Sequence, residues 1–317
     1  MGAYDHAFRP DAGTETIERK WQRRKKAFPS RQIFQKEESR LRFTGFSGMK
    51  TVSLTENGLL RMKLCFIYEY RKSRIEQEVV FYAGNPRIDF QTKVDWHEEH
   101  RLLKTLFDVD IRTTKAAYDI QYGYAERPTH WNTSWDWARF EVCGHKWADL
   151  SEKDYGVSLL NDCKYGYGIK DHVMSLSLLK SAKYPDTEAD MGEHEFTYAL
   201  LPHKGGLGSC TIDEGILLNQ PVKAVEGKTE EHIRRIIRKT GDGVKIDAVK
   251  TAEDGDGIIV RMHECLGGRE KAVLTSEYGI RAYAECNLLE EYEERKNGEE
   301  IHADFRPFQI RCFRIWL

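Results

Sequence analysis

Hydrophobic and polar residues alternate with a period of two along most of this chain. The segment RIDFQTKVDW, residues 87–96, shows the pattern clearly. Its apolar or uncharged members on one face are Ile88, Phe90, Thr92, Val94 and Trp96, with charged and amide residues between them. Because successive side chains of a strand point to opposite faces, this pattern predicts a half-buried β-strand. The turn sequence GNP at 84–86 predicts where the strand begins.

The same alternation predicts further strands along the chain. They are expected at 59–70, 105–111, 118–124, 173–179 and 194–201, and then at 244–250, 257–264, 270–276 and 308–316. Turn residues bound these runs, and no β-α-β rhythm is sustained between them. The pattern therefore predicts an all-β fold built as an antiparallel sandwich, and it argues against a doubly wound parallel sheet.

The alternation is interrupted at two places. At 224–231, AVEGKTEE, polar and charged residues break the series of strands, and shorter strands follow. We therefore predict a small second β sandwich after about residue 232. At 14–28, TETIERKWQRRKKAF, the chain forms either a short basic helix or a solvated N-terminal arm, and the run of charges favours the arm.

Composition narrows the class of protein. The chain has 317 residues, 32% of them charged, and a formal net charge of -2, which gives no general attraction to nucleic acid or anionic membranes. No apolar run approaches the roughly 18 residues of a membrane-spanning helix, and the N-terminus has no apolar core of a signal peptide. The seven cysteines are scattered, without a C-x-x-C pair. This spacing predicts reduced thiols in a cytoplasmic protein.

The stretch TKVDWHEEHRLLK places two histidines and two glutamates in four consecutive positions, His97 to His100. A helical zinc motif needs histidines at positions i and i+4, whereas these are three apart and follow a strand pattern. In an extended chain their side chains point to opposite faces. We therefore predict a polar turn between two strands, with no metal site.

Residues 124–152 hold four of the seven tryptophans, among short polar side chains. The candidates of interest within this segment are His130, Asn132, Trp135 and Asp136. Flat aromatic faces beside hydrogen-bonding groups suit sugars, which present C–H faces and hydroxyl rims. The same composition also fits an aromatic lid over the core, and composition alone leaves both interpretations open.

The segment GVSLLNDCKYGYGIKD, residues 156–171, is interpreted as a strand followed by a glycine-rich loop that carries Asp162 and Tyr165. The loop lacks the spacing of a phosphate-binding loop, so a hairpin loop and the rim of a ligand site remain alternatives. The glycines of KGGLGSC at 204–210 predict a turn. No pair of carboxylates can be assigned as acid and nucleophile from spacing alone.

Several of these segments resemble the C-terminal half of glycoside hydrolase family 38 α-mannosidases of the bacterial and cytosolic type. The resemblance covers roughly residues 35–317 in collinear order. The segments that carry it are DFQTKVDWHEEHRLLKTLFDVDI, RPTHWNTSWDWARFEVCGHKWADLSEKDYGVSLLNDCKYGYGIKD, HEFTYALLPH, KIDAVKTAEDGDGIIVRMHECLGG and DFRPFQIRCFRIWL.

This resemblance implies a large antiparallel supersandwich, related to the galactose mutarotase fold, at about 35–231 and a small β sandwich at 232–317. Residues 1–34 form a poorly matched N-terminal arm. In the family, the catalytic carboxylates and zinc ligands come from an N-terminal α/β barrel and its helical neighbour, which have no counterpart in this sequence. No catalytic or metal-binding residue is therefore assigned, and zinc is expected only in the absent catalytic domain.

The expected function is that of the non-catalytic C-terminal portion of an α-mannosidase, a retaining glycosidase when complete. The expected partners are an α-mannoside and a catalytic domain, either its own or separately encoded. The loops at 127–136 and 161–167 are expected to face that domain. The candidates for the rim of the sugar pocket are His130, Asn132, Trp135, Asp136, Asp162 and Tyr165. The chain resembles a fragment, and the open sheet edges of an incomplete supersandwich favour homo-oligomers.

Two other functions are weighed against this one. A mutarotase-like epimerase would use an acid–base pair to open and close a sugar ring, and His97, His130 and Glu126 are its candidate residues. A carbohydrate-binding module would bind mannosides without turnover. Fold analogy alone does not support the epimerase.

Overall fold

The computed structural model describes residues 33–37, 40–44, 49–227 and 234–317. The basic segment predicted at 14–28 lies outside these residues, as does nearly all of the arm predicted at 1–34. The polar break at 224–231 is described only as far as residue 227.

Twenty-three strands and two helices make up the described residues. The strands are β1 (Ile33–Glu37), β2 (Arg40–Thr44), β3 (Met49–Asn57), β4 (Arg61–Tyr70), β5 (Ser73–Tyr82), β6 (Ile88–Trp96), β7 (Arg101–Asp108), β8 (Lys115–Ile120), β9 (Gly123–Pro128), β10 (Val142–Cys143), β11 (Trp147–Ser151), β12 (Tyr155–Asn161), β13 (Gly166–Lys170), β14 (Val173–Lys180), β15 (Gly192–Lys204), β16 (Arg238–Lys239), β17 (Val244–Thr251), β18 (Ile258–Glu264), β19 (Glu270–Thr275), β20 (Ala282–Cys286), β21 (Lys296–Asn297), β22 (Ile301–Phe305) and β23 (Ile310–Trp316). The helices are α1 (Ser134–Ala138) and α2 (Ser209–Asn219).

Two large antiparallel sheets form the first part of the molecule. One has nine strands in the order β3-β4-β5-β6-β15-β12-β11-β8-β9, and the other has six in the order β10-β13-β14-β7-β1-β2. Their facing sides share one apolar core, whose fully buried members include Trp96, Leu150, Leu159, Met174 and Leu176. The all-β supersandwich is confirmed.

The second part is a small sandwich of a three-stranded sheet, β16-β19-β22, and a five-stranded sheet, β17-β18-β23-β20-β21. It has its own core, which includes Val260, Met262, Leu274, Ile301 and Ile315. The small β sandwich predicted after the polar break is therefore present. The domain boundary at 231/232 stays a prediction, because it falls among residues outside the described part.

The period-two pattern is a reliable guide in β6 and misleading in the segment 118–124. In β6 the predicted inward face is largely buried, and Val94 and Trp96 are almost completely so. The single strand predicted at 118–124 is wrong, because β8 ends at Ile120 and a turn at Tyr122, with a φ of 55°, leads into β9. The alternation continues through this turn because Tyr122 and Tyr124 pack against the small sandwich.

Helix α2 covers the outer face of the nine-stranded sheet. Its Ile212 packs in a cluster with Trp147, Leu160 and Leu201. A Cβ atom on Gly215 would lie 2.9 Å from the Trp147 ring, so the close approach of helix and sheet requires glycine there. The turn predicted at 204–210 is correct only in part, because α2 already begins at Ser209. Within the described residues, no helix is long and apolar enough to span a membrane.

The turn between β8 and β9 joins the two sandwiches. The rings of Tyr124 and Phe308 meet edge to face with centroids 5.4 Å apart, and Tyr122 meets His263 in the same way. The Tyr124 hydroxyl donates to the Leu266 carbonyl over 3.4 Å. The contact between the sandwiches therefore combines aromatic packing with a polar contact.

Replacing Gly123 with alanine is expected to lower the free energy of unfolding by about 2 kcal/mol, because overpacking a filled contact strains its neighbours. The new Cβ would lie 2.6 Å from Cδ1 of Phe308. Chemical denaturation of Gly123→Ala, Phe308→Ala and the double variant measures the coupling. Most of the cost of Gly123→Ala disappears in the Phe308→Ala background if the clash is its cause, and strictly additive effects would contradict this explanation.

Candidate functional site

The HEEH stretch forms the turn between β6 and β7, which confirms its interpretation as a polar turn. Its side chains point to separate partners. His97 pairs with Asp95 at 2.6 Å, and Glu99 pairs with Lys183 at 3.0 Å. Glu98 is 4% exposed and accepts hydrogen bonds from the Lys72 backbone N–H and the Ser73 hydroxyl. The buried Glu98 therefore ties this turn to the neighbouring β4–β5 turn, a role that the sequence pattern did not indicate.

The family resemblance implies a zinc ion, which would need a group of ligating side chains. In the described parts of the chain, no group of three or more His, Cys, Asp or Glu side chains is arranged to hold a metal ion. Tetrahedral zinc sites need at least three such protein ligands. The described residues therefore do not fit a zinc ion.

Helix α1 carries two of the rim candidates and presents them rigidly. Its N-cap Thr133 and Asp136 form a capping box, in which the Thr133 hydroxyl accepts from the Asp136 N–H and the Asp136 carboxylate accepts from the Thr133 N–H. His130 Nδ1 is buried, has no hydrogen-bond partner among the described residues, and lies 3.8 Å from Asp136 Oδ2. Asn132 is exposed, and Trp135 is 74% exposed.

The structure brings the α1 segment and the glycine-rich segment side by side. Val142 and Cys143 of β10 pair with Tyr167 and Gly166 of β13. The glycine-rich loop predicted after residue 161 is therefore wrong beyond Tyr165, because residues 166–170 form a strand. Its glycines allow close packing, since a Cβ on Gly168 would lie 2.9 Å from the Phe140 carbonyl oxygen.

A polar pocket of about 240 Å³ opens at one end of this strand pair. Its lining comes from three separate segments, namely the residues just before β11, the end of β12 with the loop that follows it, and the end of α2. The lining residues are His145, Lys146, Asn161, Asp162, Tyr165 and Asn219. Tyr165 is 58% exposed at its rim, and its ring meets that of His145 edge to face.

Asp162 is the most distinctive group in the pocket. One carboxylate oxygen accepts the Thr197 N–H over 2.8 Å, whereas Oδ1 is buried and has no hydrogen-bond partner among the described residues. A buried carboxylate oxygen without a donor is unfavourable. The Asp162 carboxylate thus lies among the lining residues with one oxygen engaged by the backbone and the other buried without a donor.

The other polar groups at the pocket are largely held in place. The Asn219 amide donates to the Asn161 carbonyl, and the Lys146 ammonium pairs with Asp119 at 2.9 Å. Partial desolvation, together with the adjacent Asp162 carboxylate, raises the pKa of the Cys163 thiol to about 11, although the residue is open to solvent. Cys163 therefore stays protonated near neutral pH and is a poor nucleophile.

The six rim candidates fall into two groups. Asp162 and Tyr165 line the pocket, whereas His130, Asn132, Trp135 and Asp136 do not. The second group lies towards the other end of β13, where the Lys170 ammonium sits 4.3 Å from the Trp131 ring centroid. The sequence does not mark the other four lining residues as rim candidates. His145 and Asn161 lie in the two segments of interest, whereas Lys146 and Asn219 carry no local signal and only tertiary packing brings Asn219 to the pocket. The four residues are His145, Lys146, Asn161 and Asn219.

The three residues considered for an epimerase have separate partners. His97 pairs with Asp95, Glu126 pairs with Lys115 at 2.7 Å, and His130 faces Asp136. None of the three lines the polar pocket. Since an acid–base pair must reach one substrate from two sides, this arrangement gives the epimerase no support.

A buried cluster centred on Asp149 lies under α2. The Asp149 carboxylate, 2% exposed, accepts from Ser158 over 2.7 Å and bonds His203 Nε2 over 2.8 Å, and Ser151 also donates to it. Thr211 of α2 bonds Ser158 over 2.7 Å. The histidine side chain is 6% exposed. The cluster is closed to substrates and joins strands β11, β12 and β15 to the helix.

Two protein-family profiles match the chain. One is described as the glycosyl hydrolases family 38 C-terminal domain and matches residues 28–188. The other is described as the glycosyl hydrolases family 38 C-terminal beta sandwich domain and matches residues 243–313. The first match alone covers half of the chain.

Two relatives of this chain are named as α-mannosidases. α-Mannosidase G of Dictyostelium discoideum is 41% identical, over 84% of this chain and 26% of the relative. α-Mannosidase 2C1 of Mus musculus is 39% identical, over 84% of this chain and 27% of the relative. The chain thus spans about a quarter of the length of the curated relatives it matches.

A solved structure agrees with the fold. An α-mannosidase from Enterococcus faecalis superposes with a TM-score of 0.73 and 18% identity, over 88% of this chain and 36% of that one. At this identity the likeness concerns the fold alone. Taken with the family profiles, these matches show that the chain belongs to glycosyl hydrolase family 38 and resembles the C-terminal, non-catalytic part of its α-mannosidases.

Proposed function

We propose that this chain is the C-terminal portion of an α-mannosidase, in which it braces the catalytic portion and lends side chains to the rim of the sugar pocket. The observation that carries the proposal is the collinear match to both C-terminal domains of the family. Retaining hydrolysis of an α-mannoside needs a nucleophilic carboxylate and an acid/base carboxyl group. In this proposal both groups, and the zinc that the resemblance implies, belong to the catalytic portion.

The Asp162 pocket supports a role in holding sugar. In the proposal a sugar hydroxyl donates to the Asp162 carboxylate at the pocket, and the exposed Tyr165 ring offers a flat face to the C–H side of a pyranose. A pocket of about 240 Å³ suits one sugar ring rather than an oligosaccharide. The loop at 127–136, with His130, Asn132, Trp135 and Asp136, faces the catalytic portion in the same proposal.

The proposal includes a role in mannoside metabolism and a cytoplasmic location. All seven cysteines are free, and Cys143, Cys163 and Cys210 are exposed. Exposed thiols are maintained in reducing compartments and are readily oxidised elsewhere. This thiol pattern is the observation that favours the cytoplasm.

The Asp162 contact is testable in an assembled enzyme. The matched C-terminal portion of the Dictyostelium discoideum α-mannosidase G is replaced by this chain, and hydrolysis of nitrophenyl α-mannoside is measured. We expect activity from the chimera and none from the chain alone. Asp162→Ala in the chimera is expected to lower kcat/KM about tenfold, which corresponds to the loss of one hydrogen bond to a charged acceptor.

A matched control separates the contact from general effects on folding. Asp186 is exposed, and its carboxylate caps only its own turn by accepting the Glu188 N–H. Asp186→Ala is expected to leave kcat/KM unchanged. If the chimera is active and Asp162→Ala leaves its kinetics unaltered, the pocket is not part of the sugar site. Mannosidase activity of the chain alone would refute the proposed function.

A further inference from the structure

Three large aromatic side chains stand exposed within six residues of the chain. Trp135, Trp137 and Phe140 are 74%, 67% and 52% exposed. We call these three residues the aromatic patch. Exposing such rings to water is unfavourable, and several large apolar side chains left exposed in one short segment indicate a site of interaction.

The aromatic patch does not contribute to the core beneath it. No residue of α1 is buried, so the rings of Trp135 and Trp137 add little to the stability of the fold. Their placement by the capping box at Thr133 therefore needs another explanation. Among the helical residues described, these tryptophans are the large apolar side chains left most open to solvent.

The backbone under the patch is held firmly. Glu141, next to Phe140, accepts a hydrogen bond from the Ser177 hydroxyl over 2.9 Å and pairs with the ammonium of Lys104. The following residues are paired in β10 with β13. A surface fixed in this way loses little conformational entropy when a partner binds.

The patch and the Asp162 pocket lie along the same strand but towards different ends of it. The Phe140 carbonyl lies against Gly168 in the middle of β13, whereas Tyr165 at the pocket rim precedes the first residue of that strand. The patch is therefore a surface separate from the pocket.

We propose that the aromatic patch is the docking surface for the catalytic portion of an α-mannosidase. This inference rests on the proposed function and adds the location of the contact. The chain covers 26% of the Dictyostelium discoideum relative, so most of such an enzyme is available to cover the patch. Buried tryptophans are the commonest energetic centres of protein interfaces.

The exposed groups define the chemistry of the partner surface. It presents apolar surface to both sides of α1, because Trp135 and Trp137 are two residues apart on the helix, with carbonyl or carboxylate oxygens that accept their indole N–H groups. Arg139, exposed at the end of α1, favours an acidic residue at the edge of that surface. A second copy of this chain is the alternative occupant that the experiment must exclude.

The test measures association of this chain with the part of the Dictyostelium discoideum α-mannosidase G that lies outside the match. Titration calorimetry gives the Kd for the wild-type chain and for the triple variant Trp135→Ala, Trp137→Ala, Phe140→Ala. We expect the triple variant to bind at least 100-fold more weakly. We also expect a blue shift of tryptophan fluorescence on binding that is lost when both tryptophans are replaced by phenylalanine.

The control uses another exposed apolar pair. Leu59 and Leu60, at the turn between β3 and β4, are 98% and 81% exposed. Leu59→Ala with Leu60→Ala is expected to leave the Kd unchanged. Since α1 buries no side chain and Phe140 is 52% exposed, the triple variant is expected to melt close to the wild-type temperature, which shows that any loss of binding is local.

Each other outcome has a definite meaning. If the triple variant binds the catalytic portion as tightly as the wild type does, the docking surface is overturned and the proposed function stands. If the wild-type chain does not bind that portion at all, both are overturned. If the triple substitution abolishes only self-association, measured by analytical ultracentrifugation, the patch is an interface between copies and the inference is wrong.

Discussion

Glu264→Ala is expected to lower the free energy of unfolding by about 5 kcal/mol. The Glu264 side chain is almost fully buried at the end of β18 and accepts three backbone N–H groups, from Leu266 at 2.8 Å and from Gly267 and Phe308 at 2.9 Å. Hydrogen bonds to a charged acceptor contribute about 1.5–3 kcal/mol each, and the variant leaves three donors without a partner. Thermal and urea unfolding measure the loss.

The effect of Glu264→Ala also reaches the contact between the two sandwiches. Leu266 accepts from Tyr124, and the Phe308 ring packs on the same tyrosine, so disorder in this turn loosens both interactions. Glu253→Ala is the control, since that side chain is 81% exposed and pairs only with Lys250. Its expected effect is below about 0.5 kcal/mol. Similar losses in the two variants would contradict this account of Glu264.

Asp149→Ala is expected to lower the free energy of unfolding by about 4 kcal/mol. The buried carboxylate bonds Ser158 and His203, and removing one partner of such a cluster leaves the others buried and unsatisfied. The site has no room to rearrange, since a Cβ on Gly156 would lie 2.2 Å from the His203 ring. Urea unfolding measures the loss, and the urea midpoint falls accordingly.

Two further variants identify the origin of that loss. Asp149→Asn keeps an acceptor of similar shape and is expected to retain roughly half of the stability lost in Asp149→Ala. Asp154→Ala, in the exposed turn between β11 and β12, is expected to have no measurable effect. An Asp149→Ala variant as stable as Asp154→Ala would show that the cluster contributes nothing to the fold.

Much of the fold is predictable from the sequence because strands that are half buried display their burial directly. β6 and β14 were located to within a residue or two from alternation alone. The same signal fails at Tyr122, which is 40% exposed, because an alternation of aromatic and polar residues does not show whether the backbone remains extended. Tyr122 in the turn and Tyr124 after it each contact an aromatic side chain of the small sandwich.

The composition of helix α2 does not predict a helix. Its sequence SCTIDEGILLN has a glycine in the middle and no regular apolar stripe, so only a turn was predicted there. The helix is held by its packing on Trp147 and Leu160, contacts that no local pattern encodes.

The candidate site also depends on contacts between residues far apart in the chain, which local sequence patterns do not predict. Asp162 and Tyr165 were singled out from one local motif, yet the pocket also needs His145 and Asn219, which lie far from that motif in the chain. The exposed face of α1 could not be distinguished from a core lid by composition, since both are rich in tryptophan. Here Trp147 is buried, whereas Trp135 and Trp137 are exposed.

Strand β15 has a consequence for how this chain can be divided. It pairs with β6 through residues 192–200 and with β12 through residues 198–204, and so joins the two halves of the nine-stranded sheet. The first family profile ends at residue 188, before this strand. A shortened protein cut at the profile boundary would lack the strand and expose the edges of β6 and β12 to aggregation. The smallest piece that keeps the strands of this sheet continuous therefore extends through β15 to Lys204.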